Sequence, residues 1–219
     1  MRFANRAEAG QILAEELKRY QEAPDTVVLG LARGGVPVAL EVAKALGLPF
    51  DVFILRKLGV PGHEELAFGA IATGGVHVLD EETIDAVGLS PADMHRALTL
   101  ARQEMERRER RYRKDRHPVN VKGKTIILVD DGIATGSSMR AAIAALRKMQ
   151  AARIVVAVPV APPRTCERLR REAEEVVCVY APEAFYAVGA FYDDFGQVSD
   201  EEVEELLRRG SLMPDGKVA

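Results

Sequence analysis

The chain has 219 residues, 47% of them apolar, with 30 basic and 33 acidic side chains for a formal net charge of −3. That length and apolar content suit one domain with a sizeable core, and the slightly negative balance gives no global attraction to nucleic acid. No apolar run reaches the ~18 residues of a membrane span, and the N-terminus lacks a signal peptide's apolar core, so a cytoplasmic protein without membrane contact is expected.

Asn5 followed by Glu8 forms a capping-box pattern, and Ile12, Leu13 and Leu17 line one face of a helix running to about Tyr20, read as packing alone. After Pro24, Val27 to Ala32 form a first strand, which ends in Arg33-Gly34-Gly35 before a helix over Val36 to Leu46. Arg33 thus stands at a strand's C-terminal edge, where open parallel sheets bind ligands, and the two glycines free the main chain to approach an anion.

Pro49 to Leu55 read as a second strand closed by Arg56-Lys57. The following stretch, LGVPGHEELAFGAI, has mobility from Gly59, Pro61 and Gly62 and polar groups from His63, Glu64 and Glu65. Ala67 to Thr73 and Val76 to Leu79, joined through Gly74-Gly75, resemble a hairpin at its base. His63 has the chemistry to donate a proton but reads as an exposed loop residue and not as catalytic, and His77 and His95 have no partner that the sequence can name.

Ser90-Pro91 is a helix start, with cap and proline in the favoured order. Met94, Leu98, Ala101, Met105 and Tyr112 recur at helical spacing, so the long helix should lie on the sheet or on a partner subunit. From Arg102 to Arg116 there are eight basic and four acidic residues. Because Glu104, Glu106, Glu109 and Asp115 interleave and aromatics are scarce, a salt-laced solvent face is expected rather than a nucleic-acid site. His117-Pro118 ends this helix.

The chain is organised around Thr125 to Met139, TIILVDDGIATGSSM. Ile126, Ile127, Leu128 and Val129 read as a strand buried on both faces. It stops at Asp130-Asp131, and the turn through Gly132 to Gly136 leads into a helix starting near Ser137. Unpaired backbone N–H groups at a helix start attract a phosphate, and Thr135, Ser137 and Ser138 add hydroxyls. The adjacent carboxylates suit sugar hydroxyls or a cation. A Walker B strand ends similarly, but no GxxxxGK[ST] lies upstream.

Strand, Asp130-Asp131 and GIATGSS together resemble the phosphoribosyl-pyrophosphate (PRPP) motif of the type I phosphoribosyltransferases. The resemblance implies that Asp130 and Asp131 hold the ribose hydroxyls and that Ala134, Thr135, Gly136, Ser137 and Ser138 bind the 5′-phosphate. It also makes Arg33, Gly34 and Gly35 the pyrophosphate loop, with a cis peptide at Ala32–Arg33. Residues from about 57 to 76 would be a flexible lid that keeps water from an oxocarbenium-like sugar, and Arg56 and Lys57 would neutralise the departing pyrophosphate. Asp130, Asp131, Arg56 and Lys57 are then the catalytic set.

Beyond the motif, a helix over Arg140 to Met149 is followed by a strand over Arg153 to Val160, a helix over Pro163 to Ala173 and a strand over Val176 to Tyr180. Cys166 and Cys178 lack metal-ligand spacing and read as two reduced, buried thiols. EAFYAVGAFYDDF resembles the hood of purine-type relatives, which makes Tyr186, Val188 and Asp193 base-binding candidates and pairs Asp130 with Asp193 as ligands of Mg2+. A last helix is expected over Asp200 to Arg209.

Alternation of strand and helix argues a three-layer α/β/α fold with a mostly parallel sheet, as in the resembled family. One domain is expected, with a core of about 24–181, a lid of about 57–76 and a hood of about 182–219. The implied activity is transfer of a 5-phosphoribosyl group from PRPP to a nitrogenous base, as a homodimer in nucleotide salvage. The alternative is a PRPP-sensing regulatory or RNA-binding module. Two departures leave the acceptor and proton carrier open: PVAPPRT lacks the lysine of relatives acting on 6-oxo purines, and Ala134 stands where some relatives carry an acid.

Overall fold

The computed structural model describes residues 1–114 and 117–210. Asp115, Arg116, the terminal part of the hood (211–219) and the side chains of the lid acids Glu64 and Glu65 lie outside the described residues.

The chain opens with α1 (Arg6–Glu16), where the Asn5 side chain accepts hydrogen bonds from the Ala7 and Glu8 amides. The Glu8 carboxylate accepts from the Ala4 amide at 2.5 Å, so the capping box closes one residue earlier than expected. β1 (Thr26–Leu31), α2 (Gly35–Leu46) and β2 (Phe50–Phe53) follow, then β3 (Leu55–Val60), β4 (His63–Ala72), β5 (Val76–Leu79), α3 (Glu81–Val87) and α4 (Pro91–Arg113). Alternation resumes with β6 (Thr125–Val129), α5 (Ser137–Lys148), β7 (Arg153–Val160), α6 (Pro163–Leu169), β8 (Glu175–Tyr180) and α7 (Asp200–Gly210). α6 stops at Leu169, short of the expected Ala173.

Five parallel strands form the main sheet in the order β2-β1-β6-β7-β8. Ile126 and Leu128 pack on one face with Met139, Ile143 and Leu146 of α5 and Leu169 of α6. Their neighbours Ile127 and Val129 pack on the other face with Leu13 and Leu17 from the α1 region and Val38 and Val42 of α2. Both faces are covered, so the strand is a continuous apolar run, each buried aliphatic side chain contributing about 1.5–3 kcal/mol. This is the expected three-layer α/β/α arrangement. β2 lies on one flank of β1 and β6 on the other, so the strand order reverses between β1 and β6 and opens a crevice at their C-terminal ends.

The stretch read as a flexible loop is strand. β3 and β4 pair antiparallel around the two-residue turn Pro61-Gly62, with Gly62 at φ +79°, and β4 pairs with β5 through the hairpin foreseen at Gly74-Gly75. Leu58, Val60, Phe68 and Ile71 turn inward against Ala101, Met105 and Tyr112 of α4 and against Val203 and Leu207 of α7. Burying that apolar face makes strand pairing favourable where glycine and proline content suggested a loop. The stripe of α4 therefore packs within the chain against the small sheet and α7, with Val52 of β2 in the same cluster.

The charged end of α4 is also not simply a solvent face. Arg111 pairs with Asp200, Glu201 and Glu204 of α7, and Arg113 is buried against Asp51 of β2. Cys166 is buried but Cys178 only half-buried, and both are free thiols. A hydrogen bond from Cys178 holds the Cys166 thiol down to about 7. Among the described residues no helix is long and apolar enough to cross a membrane.

Candidate active site

The crevice between β1 and β6 is a cleft of about 560 Å³ lined by Arg6, Ala32, Arg33, Gly34, Asp130, Asp131, Val188, Phe195, Gly196, Gln197 and Val198. One wall is the turn after β1. There the Ala32–Arg33 peptide is cis, as expected. A Cβ on Gly34 would lie 2.1 Å from Asp131 Oδ2, and one on Gly35 would lie 2.4 Å from the Val129 carbonyl oxygen. The two turns therefore approach so closely that a side chain at Gly35 would strike strand backbone and one at Gly34 would have to displace the Asp131 carboxylate.

The opposite wall is the acid pair after β6. The Asp131 amide donates to Asp130 Oδ1 at 2.9 Å, and Tyr192 Oη donates to the Asp131 carbonyl at 2.5 Å. Arg6 Nε donates to Asp131 Oδ2 at 2.8 Å, with the two side chains only 13% and 12% exposed. Burial, and next the charge of Asp131, push the Asp130 carboxyl well above its ordinary 3.8. Burial also raises Asp131, with Arg6 opposing the shift. Desolvation and a like charge both disfavour the second negative charge here.

The turn behind the acids leads into α5 through Gly136, at φ +81°. Thr165 Oγ1, from α6, donates to the Ala134 carbonyl at 2.8 Å and so ties this turn to the next crossover. Ala134, Thr135 and Ser137 are exposed. Lys57 Nζ, projecting from β3, donates to Ser137 Oγ at 2.6 Å, and so reaches the same turn from the small sheet. Arg56 is exposed one residue earlier and has no ion-pair partner among the described residues.

The remaining candidates divide. Arg33 lines the cleft and has its Nη1 3.6 Å from an Asp200 oxygen at the start of α7. Val188 lines the cleft too, and a Cβ on Gly132 would meet it at 2.5 Å. Tyr186 is 93% exposed and Asp193 forms a 2.7 Å pair with Arg2 at the surface, and neither lines the cleft. The aromatic in the cleft is instead Phe195, stacked on Tyr192 and carrying the Arg6 guanidinium 3.9 Å above its ring. Among the described residues no three His, Cys, Asp or Glu side chains group as a metal site.

Arg6, Thr165, Tyr192 and Phe195 escape a reading of the sequence. Arg6 belongs to the helix that reads as packing alone, and its carboxylate partner lies 125 residues away. Its only local signal is the well-capped helix start that fixes where it points.

Residues 4–195 match the phosphoribosyl transferase domain family. The chain belongs to that family. TT1426 from Thermus thermophilus superposes with a TM-score of 0.83 at 45% identity, covering 95% of this chain and 99% of that one. Rv0571c of Mycobacterium tuberculosis H37Rv, provisionally named a phosphoribosyl transferase, is 44% identical over 207 residues, 94% of this chain and 46% of that protein. The chain thus spans about half the length of the curated relative it matches. The bifunctional protein PyrR of Microcystis aeruginosa is 37% identical over 97 residues, 39% of this chain and 55% of that protein.

Proposed function

We propose that this phosphoribosyl transferase domain moves a 5-phosphoribosyl group from PRPP to a nitrogenous base and releases pyrophosphate. The observation that carries the reading is the convergence, at the strand-order reversal, of the Arg33-Gly34 turn and the Asp130-Asp131 pair in one cleft. The Ala134–Ser138 turn would hold the 5′-phosphate and the acid pair the ribose hydroxyls. Arg33, Gly34, Gly35, Arg56 and Lys57 would face the pyrophosphate. An acceptor nitrogen attacks C1, the C1–O bond to pyrophosphate breaks with its electron pair going to the leaving oxygen, and the nitrogen gives up its proton. Positioning and charge stabilisation supply most of the acceleration.

Among the described side chains no three group as a metal site, so Mg2+ would be carried in with the diphosphate of PRPP, with Asp130 and Asp193 as its candidate protein ligands and Asp193 drawn from its exposed pair with Arg2. Bound there, it would neutralise charge on the leaving group. Val188 and Phe195 are the groups placed to meet a flat acceptor, since stacking suits any heterocycle.

Thermal shift with PRPP and Mg2+, followed by pyrophosphate release across a panel of nucleobases, tests the reading. We expect stabilisation by PRPP, release with at least one base, and loss of turnover in the Asp130→Asn/Asp131→Asn double variant. Full activity in that variant refutes the assignment. Stabilisation without release by any base indicates a sensor. Light scattering tests the homodimer, and cell fractionation the cytoplasmic location, that we propose from the family resemblance.

A further inference from the structure

We propose that Arg6 is a positioning residue that fits the acid pair to an anionic ligand. By offsetting the charge of Asp131 and gripping the hood across the cleft, it sets the affinity of the site for a phosphorylated ribose. The inference rests on the functional reading above.

Two neighbouring carboxylates at the rim of a cleft repel a phosphorylated ligand, and in a partly buried site that repulsion is screened only weakly by salt. A cation at the acids themselves removes most of it. Arg6 is that cation, with Nε 2.8 Å from Asp131 Oδ2 and Nη1 2.8 Å from the Gly196 carbonyl, its guanidinium lying over Phe195. One cationic side chain therefore reaches both the motif strand and residues 195 and 196 of the hood.

The backbone around it is built to hold this position. The Phe3 amide donates to the Phe191 carbonyl, and the Asp193 and Asp194 amides donate to the carbonyls of Phe3 and Ala4 at 2.8 and 2.9 Å. Arg2 adds hydrogen bonds to the Tyr192 carbonyl. The fully buried Phe3 ring packs on Tyr192. Arg33 is engaged elsewhere, with Asp200, so the two cations of the cleft serve different places.

Isothermal titration with ribose 5-phosphate, and with PRPP and Mg2+, decides the matter for wild type, Arg6→Gln, Arg6→Lys, Asp131→Asn and Arg6→Gln/Asp131→Asn. We expect Arg6→Gln to weaken ribose 5-phosphate by about tenfold or more, and Arg6→Lys, which keeps the charge, to stay within about threefold of wild type. On top of Asp131→Asn, the Gln substitution should add under about threefold, because no charge is left to offset. A purely structural role would give no Lys rescue and additive losses. Wild-type affinity in Arg6→Gln, equal weakness of Lys and Gln, or additivity overturns the inference while leaving the functional reading intact. No binding of either ligand by folded wild type overturns both. Should Arg6→Gln not fold, the double variant, which buries no lone charge, is compared with Asp131→Asn alone, and a further loss beyond about threefold overturns the inference.

Discussion

The Lys57 ammonium on β3 donates to the Ser137 hydroxyl at the first residue of α5 over 2.6 Å, so the small antiparallel sheet touches the turn behind the acid pair. Both side chains are exposed. On the proposed function, Lys57→Ala weakens PRPP binding about tenfold by removing one charge-assisted contact. The melting temperature should stay close to wild type, since surface contacts of this kind add little stability. Titration and thermal melts on the same preparation check both halves. A large drop in melting temperature with unchanged binding would make Lys57 a structural residue.

Gly34 and Gly35 separate packing from ligand binding. A Cβ at Gly35 would strike the Val129 carbonyl, which is backbone of a central strand, so Gly35→Ala should destabilise the fold by about 1–3 kcal/mol. A Cβ at Gly34 would strike only the Asp131 carboxylate. Gly34→Ala should therefore displace Asp131, lower PRPP affinity and cost less stability than Gly35→Ala. Urea unfolding ranks the two, and the reverse ranking would contradict the close approach described here.

The acid pair has a signed pH dependence in the free protein. Burial and the charge of Asp131 raise the folded-state value of Asp130 above its ordinary 3.8, so the folded chain holds a proton that the unfolded chain has already released. Stability therefore falls as pH rises from about 4 through the raised value, then levels off. Asp130→Asn removes the Asp130 share of that decline and should be more stable than wild type at neutral pH, with the difference closing near about pH 4. Urea midpoints between about pH 3 and 8 measure it. A variant less stable than wild type at neutral pH would contradict the sign.

Arg113 ties the end of α4 to β2 of the main sheet. Its side chain is 4% exposed, and Nη2 donates to the Val52 carbonyl at 2.7 Å and to Asp51 Oδ2 at 3.2 Å. Asp51 also accepts from the Val52 and Val119 amides. Arg113→Ala leaves a buried carboxylate beside a cavity and should cost about 3–5 kcal/mol. Arg113→Met/Asp51→Asn should recover part of that loss, because no lone charge stays buried. Denaturant midpoints of the three proteins test the coupling, and equal losses in single and double variants would rule it out.

The residues show why some of this was legible in advance. Continuous apolar runs such as Ile126 to Val129 mark strands covered on both faces, and Ser90-Pro91 and Asn5 mark helix starts, because each signal is a short-range steric or hydrogen-bonding preference. The motif acids and the Arg33-Gly34-Gly35 turn were legible for the same reason, being punctuation at strand ends. β3 and the start of β4 were not, since Gly59, Pro61 and Gly62 argue for a loop until the apolar face of α4 and α7 is there to be covered. Nor was the burial of Arg113 at the end of a charged run, which depends on Asp51 lying beside it in space.

The amino-acid sequence by itself determined the α/β alternation, the ends of most elements and the acid-and-turn motif after β6, all of which arise from contacts between near neighbours in the chain. Only the tertiary structure decided that Arg6 meets Asp131, that Phe195 rather than Tyr186 faces the cleft, and that Asp193 turns to Arg2. Those pairings join residues from opposite ends of the chain. Their geometry exists only once the sheet has stacked β1 against β6 and drawn the N-terminal arm and the hood together across its edge.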